Sequence, residues 1–156
     1  MSEQTQESTF VLQRIYVKDV SFESPKSPEA FLKQWKPSVA LELNTSNVSI
    51  DEDNFEVTLG MTVTAKNEAE EVIYLIELQQ SGIFLIKGMS EEALGQTLGS
   101  FCPSVLFPYA REAIDSIVTK GSFPPLMLAP VNFDAIYAQA RSEERRVGKE
   151  CRSRWS

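Results

Sequence analysis

Leu98-Gly99-Ser100-Phe101-Cys102-Pro103-Ser104-Val105-Leu106-Phe107-Pro108-Tyr109-Ala110-Arg111-Glu112 runs, apolar and aromatic, into Ala113, Ile114, Ile117 and Val118. The last four recur at helical spacing as one stripe, which predicts a helix to about Lys120. Cys102 or Ser100 is placed to cap it. Pro103 suits its first turn, where the missing N–H would be unpaired anyway, and Pro108 should bend it. Gly121 marks its end. A helix apolar on more than one face requires cover from more than one partner, which a chain this short supplies by self-association. An oligomer built around this helix is therefore expected.

Working outward, Ser90-Glu91-Glu92 opens a short capped helix that reaches Leu98. On the other side, residues 121–130 (GSFPPLMLAP) hold too many prolines for an element and too many apolar groups for a free linker, so they must lie along protein surface. Asn132 then caps a last helix in which Phe133, Ile136, Tyr137 and Ala140 share one side. Further upstream the apolar period falls from helical to two. Thr9 to Val20 predicts a strand with Val11, Ile15 and Val17 on one face and Phe10, Leu12 and Tyr16 on the other. Phe22 to Pro28 breaks it, and a helical turn over Glu29 to Trp35 lies in a long crossover. Val39, Leu41 and Leu43 alternate as a second strand, with Asn44 to Asp53 as a polar loop. Phe55 to Lys66 alternates without a break, Asn67 to Glu70 is a hairpin turn, and Val72 to Leu78 with Ile83 to Ile86 is apolar on both faces.

The chain has 156 residues, enough for one core, and no histidine. Without histidine the Ser-His-acid and Cys-His arrangements and the common His-containing metal sites are excluded. Gly95-Gln96-Thr97-Leu98-Gly99 is not a phosphate loop, and Glu70-Glu71 and Glu91-Glu92 sit where solvation and helix ends explain them. No enzyme, metal or cofactor is expected. Cys102 and Cys151 form no disulfide framework or zinc spacing, and Cys102 is expected to be a buried thiol. Residues 1–140 carry nine basic and nineteen acidic groups, a balance that repels nucleic acid and favours basic partners, or simply solubility. With no apolar leader and no run near spanning length, a cytosolic protein without stable membrane association is expected.

The motif Cys-Pro-x-x-Leu-Phe-Pro-Tyr-Ala-Arg-Glu at 102–112 resembles the signature of SecB, the bacterial protein-export chaperone family. Phe10 to Glu23 (FVLQRIYVKDVSFE), Glu77 to Phe84 (ELQQSGIF) and Ala129 to Ala135 (APVNFDA) resemble the same family in the same order. Together with the strand and helix pattern, the resemblance implies an α+β fold: a four-stranded antiparallel sheet with helices on one face, assembled as a dimer of dimers. Residues 1–8 are expected to be a disordered lead-in and 9–140 the chaperone domain. The basic end at 141–156 departs from the acidic tail usual in the family, as an appended or mistranslated end would.

What the family does supplies further expectations. The implied function is ATP-independent holding of unfolded preproteins and delivery to the SecA motor. Phe22, Phe31, Leu32, Trp35, Leu126 and Met127, all in proline-punctuated connections, are expected to hold client chain, with Trp35 foremost. The plainer alternative is that these loops simply pack on the sheet. Asp19, Glu23, Leu75 and Glu77 match the family positions that receive the basic, zinc-carrying tail of SecA, the zinc being the partner's. Ile76, Leu78, Cys102, Leu106 and Tyr109 are expected at contacts between copies. The rival reading is an oligomeric interaction scaffold whose acidic face recruits one folded partner.

Overall fold

The computed structural model describes residues 7–34 and 36–154, with backbone only from residue 144 onward. The expected lead-in is thus outside the described residues up to position 6, as is Trp35. The elements are β1 (Thr9–Glu23), a 3-10 turn (Glu29–Leu32), β2 (Ser38–Ser49), β3 (Asn54–Lys66), β4 (Val72–Lys87), α1 (Glu91–Gln96), a π turn (Thr97–Phe101), α2 (Cys102–Lys120) and α3 (Phe133–Arg154). The strands form one antiparallel sheet in the order β1-β4-β3-β2. β1 and β2, adjacent in sequence, therefore lie at opposite edges, and residues 24–37 cross between them.

Local chemistry fixes the joints. Asn67 Oδ1 accepts from the backbone N–H groups of Ala69 (2.9 Å) and Glu71 (3.0 Å), shaping the β3–β4 hairpin as an Asx turn. Ser90 Oγ accepts from Ala93 N at 3.2 Å and caps α1. Pro103 sits in the first turn of α2, and the Gly121 N–H donates to the carbonyls of Ile117 and Val118 at its end, as expected. Helical structure does not pause before α2, however. Residues 91–120 form one continuous run with a π turn inside it, and neither Ser100 nor Cys102 caps anything.

α2 lies against β4 and β3. Residues facing it on the sheet include Val57, Leu59, Met61, Val63, Ile76, Leu78 and Phe84, and all are at most 1% exposed. Burying each such side chain is worth about 1.5–3 kcal/mol, so this layer supplies the main stabilisation. Gly82 fits closely in that packing, because a Cβ there would sit 3.0 Å from Leu106 Cδ2 and 3.1 Å from the Arg14 carbonyl.

Two strand expectations are corrected. β1 carries bulges at Gln13 and Lys18. Each bulge reverses the alternation, so Phe10, Leu12 and Ile15 pack toward the core while Val11 and Tyr16 are on the far face. β2 does not end at Leu43; its polar half, Asn44 to Ser49, stays paired with β3 as an edge strand with one uncovered face. β4 is one strand through Gly82. Of the residues expected at contacts between copies, Ile76, Leu78, Cys102 and Leu106 are 0% exposed in the single protomer. They fill its own core, where the core-facing side of β4 and the sheet-facing side of α2 cover each other. Tyr109 alone of that set remains on the surface, 51% exposed.

Candidate functional site

Four aromatic rings meet where the crossover passes the loop after α2. Phe22 is 6.2 Å from Tyr74, Tyr74 4.9 Å from Phe123, and Phe123 5.3 Å from Phe31, between centroids. Contacts of this kind add about 0.5–1.5 kcal/mol beyond buried area. Gly121 makes room for Phe22, whose ring would be 2.5 Å from any Cβ there. The loop is fastened to α2 by Asp115 Oδ1, which accepts from Leu126 N at 3.1 Å. Burial first, and the Asp115 charge second, raise the Tyr74 phenol above its ordinary pKa. The crossover is fastened by Lys26 Nζ to Glu71 Oε2 at 2.8 Å and by the buried Ala30. That hydrogen bond raises the Lys26 pKa and lowers that of Glu71.

These fastenings leave apolar side chains in the open. Leu32 is 84% exposed, Met127 81% and Phe31 47%, while Phe22 and Leu126 are half-buried. Five of the six residues expected to hold client chain are thus described: Phe22 and Phe31 belong to the aromatic group, and Leu126 lies beside it. Sequence reasoning missed the floor. Val39 pairs with Ala65 and Ala65 with Tyr74, so the core-side residues Val39, Leu41 and Leu43 of β2 continue the same rows. Their simple alternation looked like ordinary core, yet Val39 is 40% exposed.

The opposite face of the sheet gathers the other expected set. Glu23 pairs with Leu75 and Ser21 with Glu77, while Asp19 pairs with Gln79, so the register sets all four residues on the outer face. Thr64 and Thr62 of β3 flank Leu75 and Glu77 there. Among the described residues none of the three carboxylates has an ion-pair partner. The result is a flat acidic surface around one half-buried leucine, suited to a basic partner.

α3 is attached by its first two turns. Phe133 meets Phe107 at 5.9 Å, Ser100 Oγ and Gln96 Nε2 donate to Asp134 Oδ1, and the Tyr137 ring lies against Gly95 and Gly99. Ile136, expected on the packed side, is 41% exposed, and Ala140 is exposed as well. The helix continues into the basic end as far as Arg154. Burial pushes the Cys102 thiol up to about 12, which makes it inert. Among the described residues no His/Cys/Asp/Glu group is arranged to hold a metal, and no helix is long and apolar enough to cross a membrane.

The family model described as preprotein translocase subunit SecB matches residues 3–144. A protein-export protein SecB of Marinobacter nauticus is 59% identical over 150 residues, covering 95% of this chain and 90% of the relative. That of Stutzerimonas stutzeri is 57% identical over 148 residues, with the same coverage, and that of Azotobacter vinelandii 62% over 135 residues, covering 86% and 82%. A solved structure of a Mycobacterium tuberculosis SecB-like chaperone, in complex with an antitoxin peptide, superposes with a TM-score of 0.67 at 17% identity. It covers 78% of this chain and 90% of that one, and shows that the fold is shared.

Proposed function

Because the chain belongs to the SecB family, a family of protein-export chaperones, we propose that it holds unfolded preproteins in the cytosol without ATP and delivers them to the SecA motor. The observation that carries this reading is the separation of two surfaces on one rigid sheet. On the core side, Phe31, Leu32 and Met127 stand exposed around an aromatic group, beside the open floor of Val39, Leu41 and Leu43. Such an exposed apolar surface suits extended apolar chain, and the flexible methionine tolerates many sequences. On the outer side, Asp19, Glu23 and Glu77 surround Leu75, a surface suited to the basic tail of the motor. A client can thus stay in place while the motor docks.

Assembly as a dimer of dimers belongs to the same proposal. α2 leaves the β1 margin open, with Val17 and Val20 exposed by 47% and 41% on the core side, and Phe101 and Tyr109 of the helical run by 53% and 51%. These four groups replace the buried set as the surface offered to a second copy.

The test separates the two surfaces. The wild type should suppress aggregation of a chemically unfolded, unrelated protein, and Leu32→Asp with Met127→Asp should lose about tenfold or more in capture with folding intact. Glu77→Lys should abolish calorimetric binding of a SecA tail peptide and leave capture unchanged. A wild type that leaves aggregation untouched but binds one folded partner would replace the chaperone with a scaffold.

A further inference from the structure

In the loop after α2, Met127 has φ 50°, in the left-handed region that a residue with a side chain seldom enters. Such a conformation persists only where the surroundings determine it, and here they do so from both sides. Leu126 N–H donates to Asp115 Oδ1 at 3.1 Å, and the Leu128 carbonyl accepts from Arg111 Nη1 at 3.5 Å. The second bond is long, at the edge of hydrogen-bonding range. Leu126 and Leu128 are half-buried and packed against the core, whereas Met127 between them is 81% exposed. The loop is thus pinned on either side of Met127, by backbone and by side chain, and turns that one residue outward.

Arg111 and Asp115 are four residues apart on α2, a spacing at which opposite charges commonly pair with each other. Among the described residues these two form no ion pair together. Both reach to the loop backbone instead. Asp115 also lies close to the aromatic group, since after burial its charge is the second cause that raises the Tyr74 phenol.

Resting on the chaperone reading given above, we propose that Arg111 and Asp115 are positioning residues for capture, a clasp that holds Met127 outward before a client arrives. The effect is entropic. A methionine side chain adapts to many ligands, but a loop free to move with it would have to be ordered again by every client. The clasp fixes the backbone and leaves the side chain free to adapt. Glycine at 127 would take the left-handed conformation without strain, yet it would present nothing to a client. A side chain held there against the backbone's own preference is what the two hydrogen bonds from α2 make possible.

A residue that acts through Met127 should lose its effect once Met127 is gone. Calorimetry with the full chain and a permanently unfolded polypeptide, its cysteines blocked, measures capture. Met127→Ala keeps a side-chain-bearing residue at the left-handed position and removes only the thioether arm, so it should weaken capture about threefold. Asp115→Ala should weaken capture by a similar factor in the wild type, and by less than about 1.5-fold when Met127 is already Ala, because the two act as one unit. Asp115→Asn keeps an acceptor for the Leu126 N–H and should restore wild-type capture. Arg111→Ala, which cuts the longer bond, is the second variant should Asp115→Ala fail to fold; its smaller loss should likewise vanish beside Met127→Ala. An equal loss from Asp115→Ala with and without Met127 would overturn the clasp, as would an Asp115→Asn variant as weak as Asp115→Ala. The failures stay distinguishable. If Met127→Ala captures as well as the wild type, the client reading of this surface falls and the clasp with it; if Met127→Ala weakens capture while Asp115→Ala acts independently of it, only the clasp falls.

Discussion

On β4, Ile76, Glu77 and Leu78 are consecutive, yet Ile76 and Leu78 are 0% exposed and Glu77 is open. The core-facing pair lies under α2, among Met61, Val63 and Leu106; Glu77 sits between Ser21 and Thr62 on a face that α2 does not cover. The same strands therefore divide two tasks by alternation alone: one face closes the protomer and the other stays available. The most direct attempt to break this division is to place one charge on each side. Leu78→Lys buries an unpaired ammonium and should cost about 3–5 kcal/mol, a large share of a typical total of about 5–15 kcal/mol. Glu77→Lys, one residue away, should stay within about 0.5 kcal/mol. Urea unfolding of both variants measures the contrast. Equal midpoints would mean that the two faces are not distinct, and would restore Leu78 to a surface role.

The covered face is not equally secure throughout. α2 is held along its length, whereas α3 depends on Phe133, Asp134 and Tyr137. Gly99→Ala tests the weaker part, because its Cβ would sit 2.4 Å from the Tyr137 ring. Removing glycine from a helix gains up to about 1 kcal/mol, and overpacking costs about 1–3 kcal/mol, so a net loss is expected. It should be local. Limited proteolysis should cut faster near residues 129–132 while the sheet's unfolding midpoint barely moves, and an unchanged cleavage rate would show that Tyr137 does not hold α3.

What was legible in the sequence follows from the same contrast. α2, the alternation of β3 and the Asn67 turn were legible because each is set by local chemistry that the fold obeys. The facing of β1 was not, because the bulges at Gln13 and Lys18 insert residues that no apolar pattern announces. The polar half of β2 resembled a loop for a physical reason: an edge strand with an uncovered face needs no apolar side chains there. Ile76, Leu78, Cys102 and Leu106 were assigned to contacts between copies because a two-faced apolar pattern states that cover is needed, without stating whose. At the candidate site, exposed loop residues such as Leu32 and Met127 stood out between prolines, whereas Val39, Leu41, Tyr74 and Phe123 were hidden in patterns shared with any core.

The outer face makes one contribution to stability that can be isolated, and it is the smallest effect expected. Tyr16 Oη donates to Glu56 Oε2, and Lys18 Nζ donates to Glu56 Oε1 at 2.8 Å, tying β1 to β3 across β4. Lys18, then Tyr16, holds the Glu56 carboxyl below its usual 4.5. Burial, then Glu56, pushes the Tyr16 phenol up to about 12. A carboxyl depressed by folding stabilises the protein above its unfolded value, and the contribution is lost as pH falls through the folded one. A phenol raised by folding acts in the opposite sense: its contribution is complete below about 10 and lost as pH rises toward 12. With Lys18 half exposed, the tie should be worth only about 0.5–1 kcal/mol at neutral pH. For a chain of this size that is a melting-point difference of roughly 1–4 °C between wild type and Glu56→Gln. Melting curves should show this gap at pH 7, a smaller gap as acid protonates Glu56, and again a smaller gap above pH 10. A gap constant across that range would mean that the tie is absent in solution, and that the outer face contributes nothing to the fold beyond its backbone ladder.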